Sequence, residues 1–395
     1  MRLLEHQSRE LLTQFGLQFS DYALVQSSKE AFREAEKIGA PCMLKVQVPF
    51  GGRAKAGGVQ TADHADDMAH HAERMLGMNF RGMVVKTLSL ERRLSFSREF
   101  YVGATWDTKS KTPVALLGAA GGVEVEQAGQ QMVRRPFDPW RGVSAHEGRE
   151  MASELEVSGR TLGALGQVLE RLSRAFLDCD AVTVEINPLL ELSDGELIGV
   201  DSHIEIDDDA GYRQHQRLES LGEIFTSTTG RPPTALEQEA QRIDSMDHRG
   251  VAGRVVEFDG DVALLIGGGG ASLTVFDAIL KYGGRPYNYC EIGGNPTPEK
   301  VAALTALLLR NPQVKKLAVI MNVVNNTRAD VVAQGVLLGV QQAGRKAADV
   351  IALFRVPGSW EDEAHRLLAS AAVPSRGREV SLDECAKLVV QGGDV

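Results

Sequence analysis

From Val262 to Phe354 apolar runs of strand length alternate with amphipathic runs of helix length. The reading is strand Val262 to Ile266, helix Ser272 to Lys281, strand Pro286 to Ile292, helix Pro298 to Leu309, strand Lys316 to Met321, helix Ala329 to Ala343 and strand Asp349 to Phe354. Strands that each return through a helix run parallel, so this half is expected to form an open, doubly wound parallel sheet. Ligands of such sheets bind beyond the carboxyl ends of the strands. That singles out four loops: Gly267 to Ala271, Gly293 to Pro296, Asn322 to Arg328 and Arg355 to Gly358. The run Gly267-Gly268-Gly269-Gly270 lies between a strand and a helix, where exposed N–H groups and the positive helix end can cradle an anion. A purely structural tight turn is the alternative, although four glycines carry an entropic cost that such a turn does not need. No Gly-Lys-Ser/Thr follows, and the spacing is not Gly-x-Gly-x-x-Gly, so neither common nucleotide fingerprint applies.

The first half carries a different signal. Thr183, Glu185 and Asn187 share one face of a strand, and Val182, Val184 and Ile186 share the other. If Ser193-Asp194-Gly195 is a three-residue loop closed by Leu192 and Glu196, then Asn187 stands across from Asp201. An amide and a carboxylate oxygen would then converge, a pair suited to Mg²⁺, which takes one or two carboxylates with phosphates and water. A hairpin with a merely solvated polar face is the plainer alternative. Upstream, the loop Gly51-Gly52-Arg53-Ala54-Lys55-Ala56-Gly57-Gly58 sets two cations among glycines next to Lys45. That combination suits a flap over nucleotide phosphates, or else a solvated basic turn.

A chain of 395 residues, 43% hydrophobic and 24% charged, has length for two or three domains and an ordinary globular composition. Its net charge of −10 argues against a broad nucleic-acid or acidic-membrane surface. Cys42, Cys179, Cys290 and Cys385 are scattered, without zinc spacing, and fit reduced thiols in a cytoplasmic protein. No run reaches the roughly 18 apolar residues of a membrane span. Leu4, Leu11, Leu12 and Phe15 mark an opening helix stopped at Gly16, and Leu162 to Phe176 mark a long helix feeding the hairpin. Met83 to Val85 and Phe100 to Thr105 flank what reads as a basic, serine-bearing loop. The polar stretch from Thr226 to about Gly250 reads as a linker, with a domain boundary at 242/243.

Together, Leu3-x-Glu5-x-Gln7 with Leu11 and Gly16, Lys45 to Val48 with Gly51 to Val59, Gly121-Gly122-Val123-Glu124, Glu185 to Leu189, and Asp201 resemble the succinate–CoA ligase β-subunit family in order and spacing. The resemblance runs along nearly the whole chain. It implies an α/β protein with an N-terminal ATP-grasp domain, 1–242, and a flavodoxin-like CoA-ligase domain, 243–395. It also implies ATP or GTP with Mg²⁺, CoA bound mainly by an α partner, and a histidine of that partner that is phosphorylated and passes its phosphate to an organic acid. By the same resemblance Lys45, Gly52, Arg53 and Ala54 hold nucleotide phosphates, with Lys86 and Glu99 toward the base and ribose. Asn187 and Asp201 bind the metal, Glu185 faces the phosphohistidine, and the Gly268 to Ala271 helix entry cradles its phosphate at a second site.

The departures fall at the acid-binding end. The family's Asn-Gly-Ala-Gly is Gly267-Gly268-Gly269-Gly270 here, and its Asn-Ile-Phe-Gly-Gly-Ile-Val-Arg is the more polar Asn322-Val323-Val324-Asn325-Asn326-Thr327-Arg328. Asn325, Asn326, Thr327 and Arg328 offer more donors than succinate uses. The expected acid is therefore a more polar one, such as citrate, a hydroxy-dicarboxylate or a sulfonated acid. Succinate itself, or a degenerate nucleotide-binding homologue with a regulatory role, are the alternatives.

Overall fold

A computed structural model of the protein describes residues 1–39, 41–121, 132–222 and 233–392. The chain divides into two units, Met1–Pro232 and Pro233–Val395. The division falls at 232/233 rather than at the expected 242/243, because Ala235–Asp244 is a helix of the second unit. Thr234 and Glu237 form its capping box, and Ala240 and Ile243 join the second unit's core. Residues 122–131, with most of the expected Gly121 to Glu124 turn, and residues 223–232 of the expected linker lie outside the described residues.

The first unit holds two antiparallel sheets. In one, strands lie in the order Tyr22–Val25, Leu88–Arg92, Cys42–Val46, Val59–Ala62. Leu44, Val46, Leu88 and Leu90 project from it against Met68 and Ala72 of helix Ala65–Met75 and Ala31 and Ala35 of helix Ser28–Ile38. The strand Leu88–Arg92 occupies what the sequence suggested was a basic loop. The alternation of Leu88 and Leu90 with Ser89 and Glu91 is the period-2 pattern of a strand, too short to stand out between basic residues. The other sheet runs Leu197–Gly199, Ala181–Glu191, Arg98–Asp107, Thr112–Gly118, Met132–Pro136, with Ser202–Ile206 also pairing to Ala181–Glu191. Helix Gly159–Asp178 buries Leu165, Leu169, Leu172 and Phe176 in the same core as strand residues Val184 and Ile186 and helix Glu5–Thr13 residues Leu11 and Leu12.

The hairpin register is the expected one. Leu189 pairs with Gly199, Glu185 with His203 and Ile186 with Ser202. Leu192 N donates to Glu196 O at 2.9 Å, closing the three-residue loop. One detail differs: Val182 is exposed, because a register shift between Ala181 and Thr183 turns it out of the apolar face.

In the second unit the strand order is Val251–Glu257, Asn288–Gly293, Val262–Gly267, Lys316–Met321, Ile351–Arg355. The last four are parallel, and the first is an antiparallel edge strand. Helices cover both faces. Val262, Leu264 and Ile266 pack with helices Gly270–Lys281 and Leu382–Gln391, while Ala263 and Leu265 pack with helices Pro298–Leu309 and Ala329–Gln342. Burial on both sides explains why Val262–Gly267 is continuously apolar. This is the doubly wound sheet expected from the alternation.

Candidate active site

Two groups of side chains stand out, one in each unit. In the first, six charged residues far apart in sequence form a connected network. Glu5, in the first turn of helix Glu5–Thr13, accepts from Lys45 Nζ at 3.1 Å and pairs with Arg53 Nη1 at 2.6 Å and with Arg9. Arg9 also donates to Glu91 at 2.7 Å, and Glu91 pairs with Lys45. Arg53 Nη2 donates to Asp201 Oδ1 at 2.6 Å. Lys45 Nζ further donates to the carbonyl of Val200 at 2.7 Å, just before Asp201. All but Asp201 are buried. Three carboxylates therefore offset three cations, which is what permits so much charge away from water. Burial by itself would raise the Glu5 carboxyl, but Arg53, Lys45 and Arg9 outweigh it and hold it well below the usual carboxylate range.

The strand and hairpin bring the other expected residues alongside. Asn187 N donates to Asp201 O at 2.9 Å, so the two residues stand opposite each other across the ladder. Glu185 lies two residues back on the same face, and Tyr101 OH donates to its Oε2 at 2.9 Å. Burial and the neighbouring Glu185 charge both push the Tyr101 hydroxyl up, keeping it protonated as a donor. Gly103 makes this contact possible: a Cβ there would stand 2.9 Å from the Tyr101 hydroxyl oxygen. His203, opposite Glu185, is pushed down by burial, against the pull of Glu185.

The glycine loop folds over this network. Arg53 is buried while Ala54 to Gly57 are exposed, and Gly58 N donates back to Arg53 O at 2.8 Å. Gly52 has φ +69°, whereas Ala54 is not among the positive-φ residues, so alanine is accommodated there without backbone strain. Lys86 and Glu99 do not join the network. Lys86 is exposed on the connection before strand Leu88–Arg92, and Glu99 is half-buried opposite Leu190. The carboxylate that meets Lys45 from this part of the chain is Glu91. Glu5 lies in the Leu3-x-Glu5-x-Gln7 motif, which by itself assigns it no role, and Arg9 and Glu91 belong to no motif. The i,i+4 spacing of Glu5 and Arg9 was legible; Glu91 required the strand.

In the second unit a cavity of about 530 Å³ opens at the carboxyl ends of the parallel strands. It is lined by Gly268 and Gly269 of the glycine run and by Asn325, Asn326 and Thr327. Gly269 caps helix Gly270–Lys281 at φ 62°, and Gly268 has φ 111°. Gly267 ends the strand, where its carbonyl accepts from Asn322 N, and Gly270 opens the helix, so neither lines the cavity. Arg328 is the one expected acid-binding residue that turns elsewhere. Its guanidinium binds Asp330 at 2.6 and 3.0 Å and stacks over Trp360 with 4.0 Å to the ring centroid. Two charged residues that no motif indicated, Arg254 and Glu291, line the cavity instead.

Fold and sites define an ATP-grasp domain followed by an open α/β ligand-binding domain. Residues 2–191 match the ATP-grasp domain family, and residues 233–357 match the ATP citrate lyase citrate-binding family. The succinate–CoA ligase (ADP-forming) β subunit of Rubrobacter xylanophilus is 32% identical over 99% of this chain and 98% of its own length. The GDP-forming β subunit of Thermus thermophilus is 32% identical over 94% of each chain. The chain belongs to the succinate–CoA ligase β-subunit family, a family of CoA ligase enzymes. Among solved structures, ATP citrate lyase from Methanothrix soehngenii in complex with citrate and coenzyme A shares the fold, with TM-score 0.77 at 21% identity over 99% of each chain.

Proposed function

We propose that this chain is the nucleotide-binding β subunit of an acid–CoA ligase whose acid is a polar polycarboxylate, with citrate the leading candidate. ATP bound in the first unit phosphorylates a histidine of an α partner, and that phosphate then passes to the acid held in the second unit, before CoA displaces it. The observation that carries the acid assignment is the cavity at the strand ends, lined by Gly268, Gly269, Asn325, Asn326 and Thr327, residues that offer N–H and O–H donors. Those donors satisfy several carboxylate oxygens at once. The match of residues 233–357 to a citrate-binding family supports the same reading.

In the first unit, Lys45 and Arg53 are the buried cations beside the glycine loop. Each has internal carboxylate partners, so a triphosphate binds by exchanging those partners for phosphate oxygens. The donors Asn187 and Asp201 suit Mg²⁺, being an amide and a carboxylate oxygen, and the Asp201 side chain is 36% exposed and so reachable from solvent. When bound there, the ion neutralises charge on the phosphates. Glu185, fixed by Tyr101, faces the incoming histidine. Phosphoryl transfer asks mainly for alignment and charge compensation, and these side chains supply both. Lys86 and Glu99 remain candidates for contacts at the outer, base and ribose end.

The test is steady-state turnover of this chain with an α-type subunit, ATP and CoA across citrate, malate, succinate and a sulfonated dicarboxylate. The expected outcome is a kcat/KM for citrate above that for succinate. A clear preference for succinate refutes the acid assignment, and failure of ATP to label the partner histidine refutes the ligase mechanism.

A further inference from the structure

The acid cavity contains a residue at odds with its chemistry: a carboxylate on the wall of a site for anions. Glu291 lies on strand Asn288–Gly293, and its Oε1 is engaged from within the protein. The Tyr289 hydroxyl donates to it at 2.8 Å, and Ser272 Oγ lies 2.8 Å from the same oxygen. Ser272 is fully buried, two residues into the helix that follows the glycine run, and its Oγ is 2.9 Å from the Tyr289 hydroxyl. The side chain is thus held in one pose while its carboxylate, with about four acceptor positions in all, keeps capacity on the cavity wall. Directly across the antiparallel ladder stands Arg254 of the edge strand, which lines the same cavity.

A fixed carboxylate repels a ligand that presents only carboxylates. It favours one that brings a hydrogen-bond donor to it, because a donor turns the same group from a like-charge penalty into a charge-assisted hydrogen bond. The guanidinium opposite supplies a planar fork for one carboxylate of that ligand. The remaining lining groups, Gly268, Gly269, Asn325, Asn326 and Thr327, suit further oxygens. Building on the acid–CoA ligase reading above, we propose that Arg254 and Glu291 are a specificity-determining pair. Arg254 takes a carboxylate other than the one activated, and Glu291 accepts the hydrogen bond of an alcohol, so that the substrate is a hydroxy-polycarboxylate and deoxy analogues are excluded.

The experiment uses the full chain reconstituted with an α-type subunit and compares citrate with tricarballylate, and malate with succinate, pairs that differ by one hydroxyl. Wild type is expected to favour the hydroxy acid in kcat/KM by about ten- to a hundredfold, below the limit for a fully enclosed hydroxyl because the cavity is open. Glu291→Gln is expected to cut that preference at least fivefold, chiefly by raising KM for the hydroxy acid. Arg254→Gln is expected to lower kcat/KM for both members of the tricarboxylate pair by a similar factor and leave their ratio unchanged. Labelling of the partner histidine by ATP is measured on the same preparations, and unchanged labelling shows that each variant is assembled. If wild type labels but does not separate the pairs, or if Glu291→Gln leaves their ratio intact, the proposal fails while the ligase reading stands. Absence of labelling in wild type removes the ligase reading and this inference with it.

Discussion

Replacing Glu5 by glutamine removes one negative charge from the buried network of the first unit. Glu5 is 3% exposed and touches Arg9, Lys45 and Arg53. Loss of one partner of a buried ion pair costs about 3–5 kcal/mol, because the remaining charge is left uncompensated in a poorly solvated place. Here each stranded cation retains a second carboxylate, Glu91 for Arg9 and Lys45 and Asp201 for Arg53. The expected loss is therefore at the lower end, about 3 kcal/mol. Urea titration of the purified full chain at neutral pH measures it as a fall in transition midpoint at unchanged slope. The pH dependence separates this cause from a simple packing defect. The Glu5 carboxyl is held well below its ordinary value. Its stabilisation is therefore complete above the unfolded-state value of about 4.3 and is lost as pH falls through the lowered folded-state value. The gap between wild type and variant should hold from neutral pH down to roughly pH 5 and narrow below that. A loss under about 1 kcal/mol, the level of an exposed pair, or a gap that widens on acidification, refutes the charge-balance argument. Nucleotide gives a further check: Lys45 and Arg53 have one fewer internal partner in the variant, so Mg-ATP should bind it no more weakly than wild type in calorimetry.

Asp201→Ala should weaken Mg-nucleotide binding at least tenfold, since a ligand carboxylate matters no less than the outer contacts that support one; unchanged affinity in a calorimetric titration would falsify the metal assignment. Gly103→Ala places a Cβ 2.9 Å from the Tyr101 hydroxyl oxygen, so Tyr101 must leave Glu185, at a stability cost of about 1–3 kcal/mol. Labelling of the partner histidine should slow in that variant while ATP affinity holds, and a Tyr101→Phe variant should reproduce the slowing without the overpacking; the wild-type rate in both variants would remove Tyr101 as the group that positions Glu185.

Much of the architecture was legible because it rests on local periodicity. Strand Lys316–Met321 and helix Pro298–Leu309 lie where their patterns put them. The hairpin register followed from one loop, since a turn of fixed length sets every pairing behind it. The misses share a physical cause. Leu88–Arg92 and Val251–Glu257 are strands beside polar segments, and their pairing is decided by partners distant in sequence. The helix Ala235–Asp244 reads as linker because its polar face dominates its composition, although the Thr234 to Glu237 capping box marks its start. Arg328 was expected at the acid because arginine suits carboxylates, but Asp330 two residues on and Trp360 claim it first. The six-membered charge network joins helix, strands and loop from residue 5 to residue 201, and no window of sequence contains such a set.

Arg53 bears on how the glycine loop meets its ligand. With its guanidinium fastened to Glu5 and Asp201 and its own carbonyl accepting from Gly58 N, Arg53 and Gly58 are held in the protein while Gly51, Gly52 and Ala54 to Gly57 are exposed. Freezing six residues rather than eight spares roughly 2–4 kcal/mol of chain entropy that a wholly slack flap would lose on closing. The anchorage that looks like an obstacle to phosphate thus leaves a short, half-fixed clasp, whose grip depends less on ordering a loop than on a trade of partners at a single guanidinium.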